Sequence, residues 1–154
     1  MEPRFHPEQL SRESYRALYQ LELTLQNSSI ELPLRELVKL RASQLNQCAF
    51  CIDMHWKDAR AGGESEQRLY GLSAWEESPY YTQRERAALR WTEAVTHLHT
   101  GGVSDAVYAE VSQQLSEQEI SDLTAVIVTI NAWNRFAIAS RAHAGDYQAQ
   151  AAHA

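Results

Sequence analysis

Both cysteines of the chain, one histidine and an isolated glutamate stand at fixed intervals in the stretch E-L-V-K-L-R-A-S-Q-L-N-Q-C-A-F-C-I-D-M-H, from Glu36 to His55. Cys48 and Cys51 form a C-x-x-C, His55 follows the second cysteine by four residues, and Glu36 precedes the first by twelve. These residue types suit thiol redox chemistry. A thiol of ordinary pKa near 8.5 is only about 3% thiolate at neutral pH, and lowering it by about 1.5 units leaves half of it ionised. On a helix, at 100° per residue, Cys48, Cys51 and His55 fall within a stripe about 60° wide. Ile52, Trp56 and Ala59 border that stripe, whereas Asp53, Lys57 and Arg60 lie away from it, so the sulfurs are expected to be shielded. His55, one turn beyond Cys51, is in reach of its sulfur as a base. A helix N-terminus also favours an anion, and Cys48 lies nearest to that end. The base selects Cys51 as the attacking thiol and the dipole selects Cys48, and the residues alone leave both open. Cβ atoms three apart on a helix are about 5 to 6 Å apart, against about 3.5 to 4.5 Å in a disulfide. A small adjustment closes that gap, as suits a bond that forms and reduces readily.

Glu36 joins the set only through tertiary structure. A chain reversal near Asn46-Gln47 places Glu36 and His55 roughly 15 and 12 Å from the turn along two antiparallel helices, so they come level. A carboxylate there holds the imidazole tautomer and stabilises its protonated form, a relay from Glu36 through His55 to Cys51. On its own helix Glu36 points away from the apolar stripe of Leu34, Leu37, Val38 and Leu45. The relay therefore requires that side to be covered, by the next helix or by another subunit.

The elements that must position these residues read as helices throughout. Apolar residues at three- and four-residue steps predict a first helix from Pro7 to about Asn27, and Pro33 suits the first turn of a second running to Leu45. A third carries Cys48 to Ala61 and stops at Gly62-Gly63. Ser65 to Pro79 reads as one or two short helices. Thr82 and Glu85 form a capping-box pattern opening a helix that continues to Gly101-Gly102, Ser104 to Leu115 makes another, and Ser116 with Glu119 repeats the box. The segment Ile120 to Ile138 is apolar all round and is expected to be central. Asn131 and Asn134 share one of its faces, where buried amides need partners. Arg41 falls in an apolar stripe, where pairing or a snorkelling side chain is expected. His6, His97, His99, His143 and His153 show no metal spacing and read as surface or packing residues, and Trp56, Trp91 and Trp133 as core or interface. After His143 the pattern is lost, and 143–154 reads as a flexible tail.

The chain has 154 residues, 44% hydrophobic and 22% charged, with 6 Gly and 4 Pro. This is enough for one all-α domain, residues 1–154 with a core at about 7–142, without disulfide or metal staples. A net charge of −6 argues against nucleic acid and anionic membranes as partners. No apolar run reaches the roughly 20 residues of a membrane span, and the first ten residues lack a signal-peptide core, so a cytoplasmic location is expected. In a reducing cytosol a close cysteine pair is redox-active or metal-binding rather than a staple.

At these residues the sequence resembles the AhpD-like alkylhydroperoxidase family of the carboxymuconolactone decarboxylase superfamily, whose signature E-x11-C-x-x-C-x3-H is matched by Glu36, Cys48, Cys51 and His55. The resemblance covers about Leu34 to Trp91, and I-N-A-W-N-R from Ile130 to Arg135 is also similar to members of this family. It implies an all-α fold, homo-oligomers (trimers or hexamers), and thiol-dependent reduction of hydroperoxides by a dithiol or protein reductant, without metal or flavin cofactor. It further implies that Cys51 attacks the peroxide and becomes a sulfenic acid, that Cys48 resolves it, and that Glu36 and His55 relay the proton. Where the best-known peroxidase members carry a second histidine before the second cysteine, this chain has Phe50. The superfamily's lactone decarboxylases generally lack the cysteine pair, which disfavours decarboxylation. Two alternatives remain. One is a zinc module with Cys48, Cys51 and His55 as ligands, although no fourth ligand lies nearby in sequence. The other is a non-catalytic oligomeric protein with inert thiols.

Overall fold

The computed structural model of the chain describes residues 2–149, with Thr100 described by its backbone alone. The described residues form helices and connections with no strand: α1 (Pro7–Leu10), α2 (Arg12–Thr24), α3 (Leu32–Leu45), α4 (Ala49–Ala61), α5 (Glu66–Gly71), α6 (Gln83–Thr96), α7 (Asp105–Val111) and α8 (Glu117–Ser140), with single 3-10 turns at Leu25–Asn27, Leu72–Ala74 and Leu98–Thr100. No helix is long and apolar enough to cross a membrane among the described residues. The all-α reading and a single helical domain hold.

α3 is the buried axis. It packs on α4, α6 and α8. Leu34 and Val38 enter one apolar cluster with Ala88 and Trp91 of α6 and Leu123 and Ile127 of α8. Leu37 and Leu40 enter a second, with Leu69, Leu72, Trp75 and Leu89, against which Ile52 and Trp56 of α4 pack. Burying both stripes removes most of this helix's apolar surface from water. α8 was expected to be central on composition. It packs on α2, α3, α4 and α6, yet it leaves Val128 and Ile138 exposed, whereas α3 buries even Arg35, Glu36 and Lys39. α3 tolerates this because each charge is paired: Lys39 with Glu22 and Glu36, Glu36 with His55, and Arg35 with the carbonyls of Leu25 and Ile30. Arg41 is paired too, with Glu93, which also accepts from Trp75 Nε1 at 2.7 Å.

Local signals set most boundaries. Both capping boxes are formed, Thr82 with Glu85 and Ser116 with Glu119. Three expectations need correction. The first helix breaks at Ser11, whose φ of −114° and ψ of 46° leave the helical region, and Leu10 beside it is exposed rather than held in the core. α6 ends at Thr96, short of the glycines, and Leu98 is exposed. The third predicted helix begins one residue late, so Cys48 is its N-cap rather than a helical residue. The last described segment lacks regular structure but lies against α4: Lys57 donates to the carbonyls of Gly145 and Tyr147 at 3.1 and 2.9 Å, and Gly145 N–H donates to Asp53 at 3.2 Å. Residues 150–154 lie outside the described residues.

Candidate active site

The turn between α3 and α4 places the cysteines. Gln47 adopts a left-handed conformation, φ 57°, its N–H bonds Gln44 O at 3.1 Å, and Cys48 N–H bonds Ser43 O at 3.0 Å. These two bonds make a Schellman motif that closes α3. The next residue, Cys48, caps α4: its sulfur accepts from the Cys51 backbone N–H at 3.4 Å. One tripeptide thus ends the helix bearing Glu36 and starts the helix bearing Cys51 and His55.

The two helices pair closely enough for His55 Nδ1 to meet Glu36 Oε2 at 2.8 Å, with His55 5% and Glu36 7% exposed. Both members of this predicted pair are therefore in contact and buried. The side of α3 that needed cover is covered within the chain by α4 and by α2, whose Glu22 lies 2.5 Å from Lys39 Nζ. Lys39 in turn lies 3.6 Å from Glu36 Oε1. Burial opposes the Glu36 charge, but the His55 hydrogen bond and the Lys39 ammonium outweigh it and hold the carboxyl below its ordinary value. With Glu36 ionised, the carboxylate accepts and Nδ1 carries the proton of this hydrogen bond. His55 Nε2 is the one buried side-chain polar atom among the described residues with no hydrogen-bond partner in the protein.

The cysteines differ in setting. Cys48 is held below the ordinary thiol value, first by the Cys51 thiol donating to it, against burial, then by backbone N–H groups of Cys51 and Phe50. Cys51 is pushed up, chiefly because it donates to Cys48 and is buried. Access runs the other way. A cavity of about 590 Å³ is lined by Cys51, His55 and Glu36 but not by Cys48. Its other walls include the aromatic side chains Tyr15, Phe50, Trp133 and Phe136, with Tyr15 and Trp133 edge to face at 4.9 Å between centroids.

Several lining residues escaped the sequence reading. Asp58, one turn beyond His55, accepts a hydrogen bond from Tyr147 at 2.6 Å, and burial raises its carboxyl above the ordinary value. His6 and His143, read as surface or packing residues, line the cavity, and Trp133 is a cavity wall rather than only core. The one available signal was Asp58 falling on the stripe of Cys51 and His55 at helical spacing. Among the described residues the metal-capable side chains that converge are Glu36, His55 and Asp58, within 4.8 Å. The zinc alternative based on Cys48, Cys51 and His55 therefore does not match the grouping the fold makes, and the neighbouring Lys39 ammonium already neutralises Glu36.

Comparisons with known proteins agree with the fold. The model of the carboxymuconolactone decarboxylase family matches residues 12–94. The uncharacterized protein YdfG of Bacillus subtilis is 43% identical over 131 residues, 85% of this chain and 89% of its own length. A solved structure from Agrobacterium tumefaciens, of unknown function and provisionally named for antioxidant defence as AhpD, superposes with a TM-score of 0.91 at 40% identity, covering 95% of this chain and 100% of that one. The debrominase Bmp8 shares the fold at 18% identity, with a TM-score of 0.76 over 84% of this chain and 70% of its own. The chain belongs to the carboxymuconolactone decarboxylase family and has its AhpD-like all-α fold.

Proposed function

We propose that the protein is a thiol-dependent peroxidase that reduces organic hydroperoxides through a Cys48/Cys51 dithiol–disulfide cycle. One observation supports this reading: His55 Nδ1 meets the Glu36 carboxylate at 2.8 Å while its buried Nε2 has no partner in the protein, on the cavity wall it shares with Cys51. A buried polar atom without a partner calls for a reason, and a base awaiting a proton supplies one. The apolar, aromatic cavity favours an organic hydroperoxide over hydrogen peroxide.

In this scheme Cys48 holds the first negative charge and Cys51 meets the substrate. The proton on Cys51 passes to Cys48 or to His55, and the Cys51 thiolate attacks the terminal peroxide oxygen. The O–O bond breaks, the alkoxide takes a proton and leaves as the alcohol, and Cys51 becomes a sulfenic acid. Cys48, as thiolate, attacks that sulfur, forming the disulfide, and the displaced hydroxide takes a proton from His55 or solvent and leaves as water. A dithiol reductant then returns two electrons and two protons. The assembly into trimers or hexamers and the cytoplasmic setting belong to the same proposal.

Steady-state turnover of cumene hydroperoxide with dithiothreitol is the test. Cys51→Ser is expected to abolish turnover. Cys48→Ser is expected to permit a single turnover that leaves a trappable sulfenic acid on Cys51. Unchanged turnover in Cys51→Ser would refute the scheme.

A further inference from the structure

The cavity beside Cys51 carries a charge pattern that the dithiol scheme does not use. Four carboxylates line it, Glu8, Glu22, Glu36 and Asp58, against one lysine, Lys39, and no arginine among the described residues. Each basic group of the wall already has a carboxylate partner. Lys39, buried, lies 2.5 Å from Glu22 and 3.6 Å from Glu36. Among the histidines, His55 meets Glu36 at 2.8 Å, His6 meets Glu8 at 3.3 Å and His143 meets Asp146 at 2.9 Å. Asp58 forms no ion pair among the described residues; the Tyr147 hydroxyl donates to it at 2.6 Å. At the start of α4 the Cys51 N–H is directed to the Cys48 sulfur at 3.4 Å, and Cys48 does not line the cavity. The wall thus holds a surplus of negative charge and has its cations already committed.

We propose that this wall selects substrates by charge: it takes hydroperoxides with an uncharged or cationic aryl or branched alkyl body and refuses those that carry a carboxylate into the cavity, with Glu22 and Asp58 as the residues that set the rule. The proposal rests on the peroxidase reading, whose substrate class it narrows. An ionised carboxylate that leaves water must recover its hydration from cations or spare donors. Lys39 cannot serve it without leaving two carboxylates, and Glu22, Glu36 and Asp58 present like charge to the incoming anion. Between walls such as Tyr15, Phe50 and Trp133, with less water to screen them, these repulsions act more strongly than in bulk solvent. An ammonium meets the opposite field. Asp58 offers it a counter-ion, and aromatic rings are favourable neighbours for a cation. An uncharged body needs neither and relies on the apolar walls alone. Glu22 acts at a distance from the sulfurs, by keeping Lys39 occupied.

The test uses three unreactive probes of one shape and different charge: 4-isopropylbenzyl alcohol, 4-isopropylbenzylamine and 4-isopropylbenzoate. Each is titrated into the reduced protein at neutral pH, and binding is read from the indole N–H resonance of Trp133, which places the probe in the cavity. The alcohol and the amine are each expected to bind at least about fivefold more tightly than the carboxylate. A smaller difference for either overturns the proposal. The amine arm separates sign from mere desolvation, because a wall that refused any charge would treat amine and carboxylate alike. Failure of the alcohol and the amine to bind beside Trp133 overturns it as well. In Glu22→Gln, Lys39 keeps only Glu36, and the disadvantage of the carboxylate is expected to shrink at least about threefold with the alcohol within about twofold of wild type. A folded Glu22→Gln protein with a smaller change overturns the proposal. If that variant does not fold, Asp58→Asn takes its place with the same expectation. A protein with this order of affinities but no hydroperoxide turnover would refute the peroxidase reading alone, whereas turnover of cumene hydroperoxide without the order would refute the charge rule alone.

Discussion

Acidity and access are divided between the two cysteines. Cys48, at the α4 N-cap, is stabilised as an anion by the Cys51 thiol and by backbone N–H groups, while Cys51 faces the cavity with an elevated thiol. A single stable thiolate facing substrate would be acidic but weakly nucleophilic, because nucleophilicity falls with pKa. Storing the charge on Cys48 and moving a proton at the moment of reaction avoids that loss. In the proposed scheme Glu36 matters because its carboxylate holds Nδ1 of His55, the second base. Replacing it with Gln keeps shape and one hydrogen bond but removes the charge that stabilises the imidazolium, so hydroperoxide turnover at pH 7 should fall about tenfold to a hundredfold. The same variant should change stability against pH. The Glu36 carboxyl lies below its ordinary value of 4.5 in the folded chain. Its contribution is therefore complete above that value and is lost as pH falls through the lower folded one. Urea midpoints between neutral pH and pH 3 should decline less steeply for Glu36→Gln than for wild type, and parallel declines would refute the assignment.

At the scale of elements, the α3–α4 junction is the most constrained point in the chain. Gln47 is the C′ residue of a Schellman motif with φ 57°, a conformation that costs a residue with Cβ about 1 kcal/mol or more and costs glycine little. Gln47→Gly should raise stability by about 0.5 to 1 kcal/mol in denaturant melts, with the spacing of Glu36 and His55 and the turnover unchanged. A loss of stability would mean that the Gln47 side chain holds the turn. Gln47 also marks where sequence reading stops. Capping boxes at Thr82 and Ser116 and the Gly62-Gly63 stop were legible because each is a local device whose residue types reveal it. The sequence marks a chain reversal near Asn46-Gln47 but not its geometry, since glutamine is not a residue that advertises a left-handed turn. The one-residue shift that follows makes Cys48 a cap. The Glu36, Cys48, Cys51 and His55 set was legible as a spacing. The Lys39 contact to Glu36 and the Cys51 backbone N–H that the Cys48 sulfur accepts were not, because they come together only in three dimensions. α8 is central as its composition predicts, packed on α2, α3, α4 and α6, but α3 is the more deeply buried for a related reason. Composition measures how much apolar surface an element has, not whether buried charges such as Arg35 and Lys39 find partners on another.

At the scale of the whole molecule, both ends of the described residues line the cavity. Arg4 N–H bonds Ser140 O at 2.8 Å and its guanidinium bonds Ala139 O at 3.4 Å, which brings Pro3 and Phe5 to the rim. From the other end, residues 143–147 are laid on α4 by Lys57 and Asp53, and Tyr147 reaches Asp58 at 2.6 Å. Asp58 is one turn beyond His55, so this strap ends beside the Glu36–His55 pair of the proposed relay. The cavity's size and polarity thus depend on segments whose own sequence carries little helical pattern. Under the peroxidase reading, the strap contributes to holding a bulky substrate but not to the thiol chemistry. A chain ending at Ala142 should therefore show a KM for cumene hydroperoxide raised about tenfold, equivalent to about 1.4 kcal/mol of lost wall contact, with KM for hydrogen peroxide within about twofold. Tyr147→Phe, which keeps the ring and removes the bond to Asp58, should fall between the two proteins. Wall contacts act on binding rather than on the bond-breaking step, so kcat for the small peroxide should be preserved in all three. An equal loss on both peroxides would show instead that the strap acts on Asp58 and the relay, and would move Tyr147 from the substrate wall to the catalytic machinery.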